Sequence, residues 1–332
     1  MRIGSNPLKK KPQLEPYKRH RIIIPIFIGS DHEYFAQSTE TLKLCLRSLY
    51  ATIDLNHVSV TVINNNSIPA VDEILAPYVK SGQIDRYIRN QTNRGKPDAV
   101  AGEILATYEP FVSLTDCDVL FYQGWMRTLE DVFCAHPGVG AASPFPAPNH
   151  QFYHTGTTWL SALATLRARV GNYVAENDLN EFLESIAKPV DFFPKSVRAK
   201  QFAYKSKTAT SLIGCGHFVV MFRRFVFNKM VYKPKLAGAS NGEQDIDAMS
   251  EKAGFLRLST PTYHVYHLGN VVEDWMEGAV REVESNEKVP LIDETTFSST
   301  ERNSRPYAGF IPKVVRKICL RGIKIGSKLI RR

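Results

Sequence analysis

The sequence predicts an α/β protein with a mainly parallel central sheet and flanking helices. Two observations carry this fold class. Four short apolar runs alternate with helical patterns between residues 22 and 114, as successive βαβ units do. The polar clusters Ser30-Asp31, Asn64-Asn65-Asn66-Ser67, Asn90–Lys96 and Asp116–Asp118 each follow a run, at the carboxyl ends where such sheets bind ligands.

Ile22 to Ile28 is a continuous, mostly β-branched run closed by Gly29-Ser30, which reads as a strand buried on both faces. Pro25 removes one ladder donor, pointing to a bulge or an edge there. Leu42, Cys45, Leu46 and Leu49 recur at helical spacing between Ser38 and Ala51, with Ser38 as the N-cap. Val58–Ile63 is a second strand, Val71–Val79 a helix and Ile84–Ile88 a short third strand. Ala99–Tyr108 is helical, and Phe111–Leu114 is a fourth strand running into Thr115-Asp116-Cys117-Asp118. Residues 144–210 lose this pattern and read as an insertion or loop-rich half, with one amphipathic helix near Asn177–Ala187. Leu212–Phe222 reads as a strand through Gly214 and Gly216, Gly242–Gly254 as a helix with an acidic start, and Arg257–Leu268 as a further ordered stretch. The layout expected is a basic, flexible N-terminus over 1–20, a body over 21–301 and a basic tail over 302–332. The body divides into halves at about 21–143 and 144–301.

The 332 residues are 43% hydrophobic, ample for a core, and carry a formal net charge of +9. That charge is unevenly placed. Residues 1–21 carry seven Lys or Arg against one acid, residues 302–332 ten against none, and residues 22–301 carry 25 against 32. An acidic body argues against a nucleic-acid groove across it. No stretch is long and apolar enough to span a membrane, and the first 21 residues lack the apolar segment of a secretory signal. Five scattered cysteines form no CxxC pair, which favours a reducing compartment over a disulfide framework or zinc knuckle. In the tail, Ile311, Val314, Val315, Ile318, Ile325 and Leu329 follow helical spacing among Lys and Arg. A basic amphipathic segment over 306–332 fits an anionic membrane surface, so the expected location is cytoplasmic, peripheral at the inner face of the membrane.

The familiar nucleotide motifs are absent. The first strand is followed by Gly29-Ser30-Asp31-His32-Glu33-Tyr34 rather than G-x-G-x-x-G, and neither a P-loop nor a G-x-S-x-G elbow occurs. Asp116 and Asp118, one residue apart at a strand end, can direct one carboxylate to a hard divalent cation and the other to a ribose or sugar hydroxyl. The same pair also fits a solvated turn.

The order of motifs adds context. An apolar strand is followed by Cys45-Leu46-Arg47-Ser48-Leu49, Asn64-Asn65-Asn66-Ser67, Asn93-Arg94-Gly95-Lys96 and Asp116-Cys117-Asp118. Gly242-Glu243-Gln244-Asp245-Ile246-Asp247 and Tyr266-His267-Leu268-Gly269 come next. Over residues 21–270 this series resembles the GT-A glycosyltransferases, most closely their family 2-like group. The resemblance implies that Asp116 faces the donor ribose or sugar, that Asp118 ligates Mn2+ or Mg2+ on the donor diphosphate, and that His267 adds a metal ligand. It implies donor contacts from Asn93, Lys96 and Asn65, the last standing where the family usually has Asp. Asp245 matches the acid that deprotonates the acceptor hydroxyl in inverting members, with Glu243 and Asp247 as alternatives in the same motif. The implied function is metal-dependent, inverting transfer of a sugar from a nucleotide-diphosphate donor to a hydroxyl of a glycan or lipid-linked acceptor, in polysaccharide or glycolipid assembly. The alternative is a non-catalytic GT-A-like module that binds a sugar nucleotide or glycan, with the Asn-for-Asp changes as decay. Tyr153, His154 and Trp159 fit either a sugar-stacking surface or local core, and Trp125 fits helix packing behind the Asp pair.

Overall fold

The computed structural model describes residues 16–234, 242–307 and 320–325. The chain opens with β1 (His20–Ile26), α1 (Ser38–Thr52), β2 (Val58–Asn64), α2 (Pro69–Lys80), β3 (Arg86–Arg89), α3 (Lys96–Ala106) and β4 (Phe111–Thr115). β1 pairs in parallel with β2 and with β4, and β2 pairs in parallel with β3. Ile22, Ile24, Val60 and Val62 pack with Leu42, Cys45, Leu46 and Leu49 of α1 on one face. Ile23, Ile63, Val112 and Leu114 pack with Val100 and Ile104 of α3 on the other. Burial on both faces is why these strands read as unbroken apolar runs. Pro25 lies beyond the last β1–β4 pair, Ile23 with Leu114, where β1 is paired on one side only.

β5 (Val119–Phe121), α4 (Trp125–Ala135) and β6 (Val139–Ser143) follow. The stretch without a clear pattern holds α5 (Gly156–Ala164), β7 (Ala168–Gly171), α6 (Glu176–Ser185), α7 (Lys195–Ala199) and β8 (Gln201–Lys205). β9 (Thr210–Ile213), β10 (Val219–Arg223), α8 (Gly242–Lys252), β11 (Leu256–Ser259), β12 (Val265–His267), α9 (Asp274–Ser285) and α10 (Glu294–Arg302) complete the order. The main sheet has ten strands in the order β3-β2-β1-β4-β10-β6-β11-β9-β8-β7. Seven run one way, and β10, β9 and β7 run the other. β5 and β12 form a separate antiparallel pair.

Three stretches differ from the sequence reading. Residues 144–210 are not merely loops: β7 and β8 extend the main sheet, and α6 lies where the amphipathic helix was expected. The single strand expected over Leu212–Phe222 is two strands in different places, β9 against β11 and β10 between β4 and β6. Gly214 makes the break, with φ +122; a Cβ there would stand 2.9 Å from the Ala147 carbonyl oxygen. Arg257–Leu268 likewise splits into β11 and β12, and the Thr260 hydroxyl donates to the Thr262 carbonyl at 2.7 Å in the turn between them. Trp125 packs as expected: it is fully buried, 4.9 Å from the Phe121 ring, and its indole N–H donates to Thr52 Oγ1 at 3.1 Å.

At the amino end of β1, a buried charge network ties α4 to the first strand and to the segment that leads into α10. Glu130 on α4 is 0% exposed and accepts from Arg19 Nη1 at 2.8 Å, His20 Nε2 at 2.8 Å and the Ile292 N–H at 2.7 Å. Burial works to raise the Glu130 carboxyl, but the bonds from His20, Arg19 and Ile292 outweigh it and hold it below its ordinary 4.5. Its contribution is therefore present above that value and lost as pH falls through the folded one. Glu130→Ala is expected to cost about 1–3 kcal/mol, since it leaves the buried His20 ring and the Ile292 N–H without their acceptor, while Arg19 keeps Glu294. A urea midpoint unchanged from that of the unmodified chain would contradict this.

The flexible N-terminus expected over 1–20 lies outside the described residues up to residue 15, and Arg19 and His20 belong to the body. The tail over 302–332 is described only at 302–307 and 320–325, where Leu320 and Ile323 pack against the main core. Among the described residues, no helix is long and apolar enough to cross a membrane.

Candidate active site

The carboxyl ends of β1, β2, β3 and β4 meet the expected polar clusters. Asn64 and Asn65 are buried, and their amides organise the loops around them. Asn64 Nδ2 donates to Asp72 Oδ1 at 2.8 Å, and Asn64 Oδ1 accepts the Ser67 N–H at 2.8 Å. Asn65 Nδ2 donates to Asn93 Oδ1 at 2.9 Å, while Asn65 Oδ1 accepts from Asn90 Nδ2 at 2.9 Å and the Arg94 N–H at 3.1 Å. Asn93 Oδ1 also accepts the Gly95 N–H at 2.8 Å. A carboxylate at position 65 cannot donate to Asn93, so an amide fits this place better than the family's usual Asp. The two asparagines thus brace the loop that delivers Lys96 to the first turn of α3.

Lys96 reaches the end of β4. Its ammonium is bonded to Asp116 Oδ1 and lies 3.0 Å from Glu243 Oε1 at the start of α8. Burial works against the charged ammonium, but the two carboxylates overcome it and hold the Lys96 pKa above its ordinary value. Asp116 is held by its backbone as well: its N–H donates to the Phe218 carbonyl at 2.8 Å, where β10 runs alongside β4. Asp118 precedes β5, and β5 pairs with β12 so that Val119 stands opposite His267. The Leu268 N–H donates to the Asp118 carbonyl at 2.7 Å, which locks that register. His267 Nε2 consequently lies 3.6 Å from Asp118 Oδ2, and the Phe218 ring meets the imidazole edge-on at 5.4 Å.

Asp116, Asp118 and His267 each offer a ligand atom within 4.8 Å of the others. Burial pushes the Asp118 carboxyl above its ordinary range; His267 opposes that shift and Asp116 adds to it. Among the described residues, the buried Asp118 Oδ1 and His267 Nδ1 have no hydrogen-bond partner. Two carboxylates and an imidazole with unmet polar atoms are a fitting donor set for a divalent cation, the oxygens suiting Mg2+ or Mn2+.

On α8, Glu243 and Asp245 point in directions about 200° apart around the helix axis. Glu243 faces Lys96 and hence Asp116, whereas Asp245 lies 3.8 Å from Lys252 in the last turn of the same helix. Asp247 is structural. It is 4% exposed, its carboxylate lies 3.5 Å from the fully buried Arg257 guanidinium, and it accepts from the Tyr153 hydroxyl at 3.3 Å. The structure therefore brings Lys96, Asp116, Asp118, His267 and Glu243 together, holds Asn65 and Asn93 one step behind them, and leaves Asp245 on another side of α8.

Residues 22–230, more than half of the chain, match the sequence profile of Glycosyl transferase family 2. The chain belongs to that family. The α/β GT-A expectation is borne out by this match and by the sheet described above. Among solved structures, similar chains include the mannosyltransferase PcManGT from Pyrobaculum calidifontis, in complex with GDP-Man and Mn2+. It is 13% identical, with 94% of this chain and 76% of that chain covered and a TM-score of 0.45. S. aureus TarS 1-349 is 12% identical, with 88% and 72% covered and a TM-score of 0.43. No curated protein matches in sequence.

In this family 2 chain, the sequence reading missed the β5–β12 pair that seats His267. Its only signal is the apolar triplet Val119-Leu120-Phe121 directly after Asp118. The aromatic cluster separates into two parts. Trp159 is core, 2% exposed, with its indole N–H donating to the Gln151 carbonyl at 2.8 Å. Tyr153 and His154 turn instead to α8, His154 Nδ1 lying 3.6 Å from Glu251. Burial pushes the Cys45 and Cys215 thiols up to about 12, which removes them as nucleophiles.

Proposed function

We propose that this family 2 protein transfers a sugar, with inversion, from a nucleotide-diphosphate donor to a hydroxyl acceptor, using Mn2+ or Mg2+ held by Asp116, Asp118 and His267. The observation that carries this reading is the convergence of those three side chains at the carboxyl end of β4, with their ligand atoms within 4.8 Å. When bound, a divalent cation neutralises charge that develops on a leaving diphosphate. Lys96 supplies a fixed positive charge beside the same carboxylates, and Asn65 and Asn93 hold its loop in place. Water is kept from the rear of the site by Phe218, 6% exposed, packed against His267.

Glu243 is the base this reading favours over Asp245. Its carboxylate sits on the Lys96 side of α8 and its side chain is 41% exposed, open to an acceptor. A carboxylate there takes the proton of the attacking hydroxyl and aligns it with the donor. One base suffices for inversion. The acceptor is a glycan or lipid-linked sugar hydroxyl, in polysaccharide or glycolipid assembly.

The test is turnover. Incubated with a panel of UDP-, GDP- and CDP-sugars, the protein is expected to release the nucleoside diphosphate from at least one of them. EDTA should stop that release and added Mn2+ or Mg2+ should restore it. Release that is indifferent to EDTA would remove the metal from the reading, and no release from any donor would remove the enzyme.

A further inference from the structure

A second set of side chains borders the cluster without belonging to it. The turn between β9 and β10 passes the end of β4, where the Phe218 carbonyl accepts the Asp116 N–H. One residue earlier, His217 is exposed, and its ring lies 5.4 Å from that of His150, tilted by 39°. The His150 ring lies 5.3 Å from the Tyr153 ring, tilted by 38°, and the Tyr153 hydroxyl bonds to Asp247 on α8. Glu243, four residues before Asp247 and so on the same face of the helix, is joined through Lys96 to Asp116. These contacts, with the chain link from Phe218 to His217, close a ring that runs from Asp116 through Phe218, His217, His150 and Tyr153 to α8 and back by way of Lys96.

The backbone is built for this approach. A Cβ at Gly214 would come within 2.9 Å of the His150 carbonyl carbon, and one at Gly216 within 2.0 Å of the Phe145 ring. Glycine at 214 lets the turn lie this close to the 147–151 backbone, and glycine at 216 leaves room for the Phe145 ring. Among the described residues, neither His150 nor His217 forms an ion pair. Burial lowers the His150 pKa to about 4, with His217 and Arg257 adding to the effect. Its ring is therefore neutral, a poor partner for a phosphate. Flat rings with hydrogen-bonding edges suit the apolar face and the hydroxyls of a sugar instead.

We propose that His217, His150 and Tyr153 form a ledge that receives the ring of an acceptor sugar, with one of its hydroxyls turned to Glu243. This rests on the glycosyltransferase reading above and adds to it the residues that receive and select the acceptor's pyranose ring. His217, the exposed member, makes the contact most open to change, and His150 and Tyr153 set its position.

Saturation-transfer NMR tests the ledge on the full chain in Mg2+ buffer, with methyl glycosides of glucose, galactose, mannose and N-acetylglucosamine as probes. At least one glycoside is expected to show ring-proton saturation. His217→Ala should weaken its binding about three- to tenfold, and His217→Phe should restore it by keeping a flat ring. No glycoside signal with the unmodified chain would overturn the proposal. Binding unchanged in His217→Ala, or lost there and not restored in His217→Phe, would do so as well. Nucleoside diphosphate release by the unmodified chain, measured in parallel, separates the two levels. Release without a glycoside signal removes the ledge alone, and absence of release removes the glycosyltransferase reading.

Discussion

Asp118→Ala is expected to lower turnover by about 10²–10³-fold or more while leaving the fold intact. The reasoning starts from an unmet electrostatic need. Asp118 is held by burial above its ordinary carboxylate range, beside Asp116, with one oxygen lacking any partner among the described residues. A carboxylate kept in that condition is costly unless a cation joins it, so its removal relieves the apo protein rather than harming it. The melting temperature of the metal-free variant should equal or exceed that of the unmodified chain. Mn2+ affinity, read by titration calorimetry, should fall sharply. A variant that unfolds, or one that binds Mn2+ as before, would contradict the assignment.

The second large effect concerns the base. Glu243→Gln is expected to reduce kcat for transfer by about 10²–10⁴-fold, the usual weight of a general base. Asp245→Asn should retain most of the activity. The two carboxylates sit in the same turn of α8, and composition or dipole arguments treat them alike. Only their direction separates them: Glu243 meets Lys96, and Asp245 meets Lys252. Steady-state kinetics on both variants decide the matter, and the reverse ranking would return the role to Asp245. Circular dichroism on each variant guards against a folding artefact, and the sizeable exposure of both side chains makes one unexpected.

The legible parts of this protein were those with local causes. β1, β2 and β4 announce themselves because strands buried on both faces must be largely apolar, and α1 because its core residues repeat at helical spacing. Asp116 and Asp118 stood out because they end such a strand. What stayed hidden depends on contacts distant in sequence. His267 was expected at the site from the family resemblance alone, and the pairing that sets it beside Asp118 joins two three-residue strands, too short to carry a pattern. The run Leu212–Phe222 looks continuous, and its division follows from the positive φ of Gly214 and from the other chain segments packed against it. The Asn-for-Asp change at residue 65 raised the alternative of a decayed module; the loop it braces gives it a constructive reason instead. The motif that includes Glu243 and Asp245 was visible, but the phase of a helix against its site is not written in the helix alone.

The central claim is that the Asp116, Asp118 and His267 cluster takes a divalent cation together with a nucleoside diphosphate. Thermal shift measures it most directly, because a ligand that binds only the native state raises the melting temperature. UDP, GDP and CDP should each be tested with and without Mn2+, on the unmodified chain and on Asp118→Ala. The account predicts a rise with at least one nucleotide that requires Mn2+ and is absent in the variant. A rise of equal size without Mn2+, or one that persists in Asp118→Ala, would contradict it.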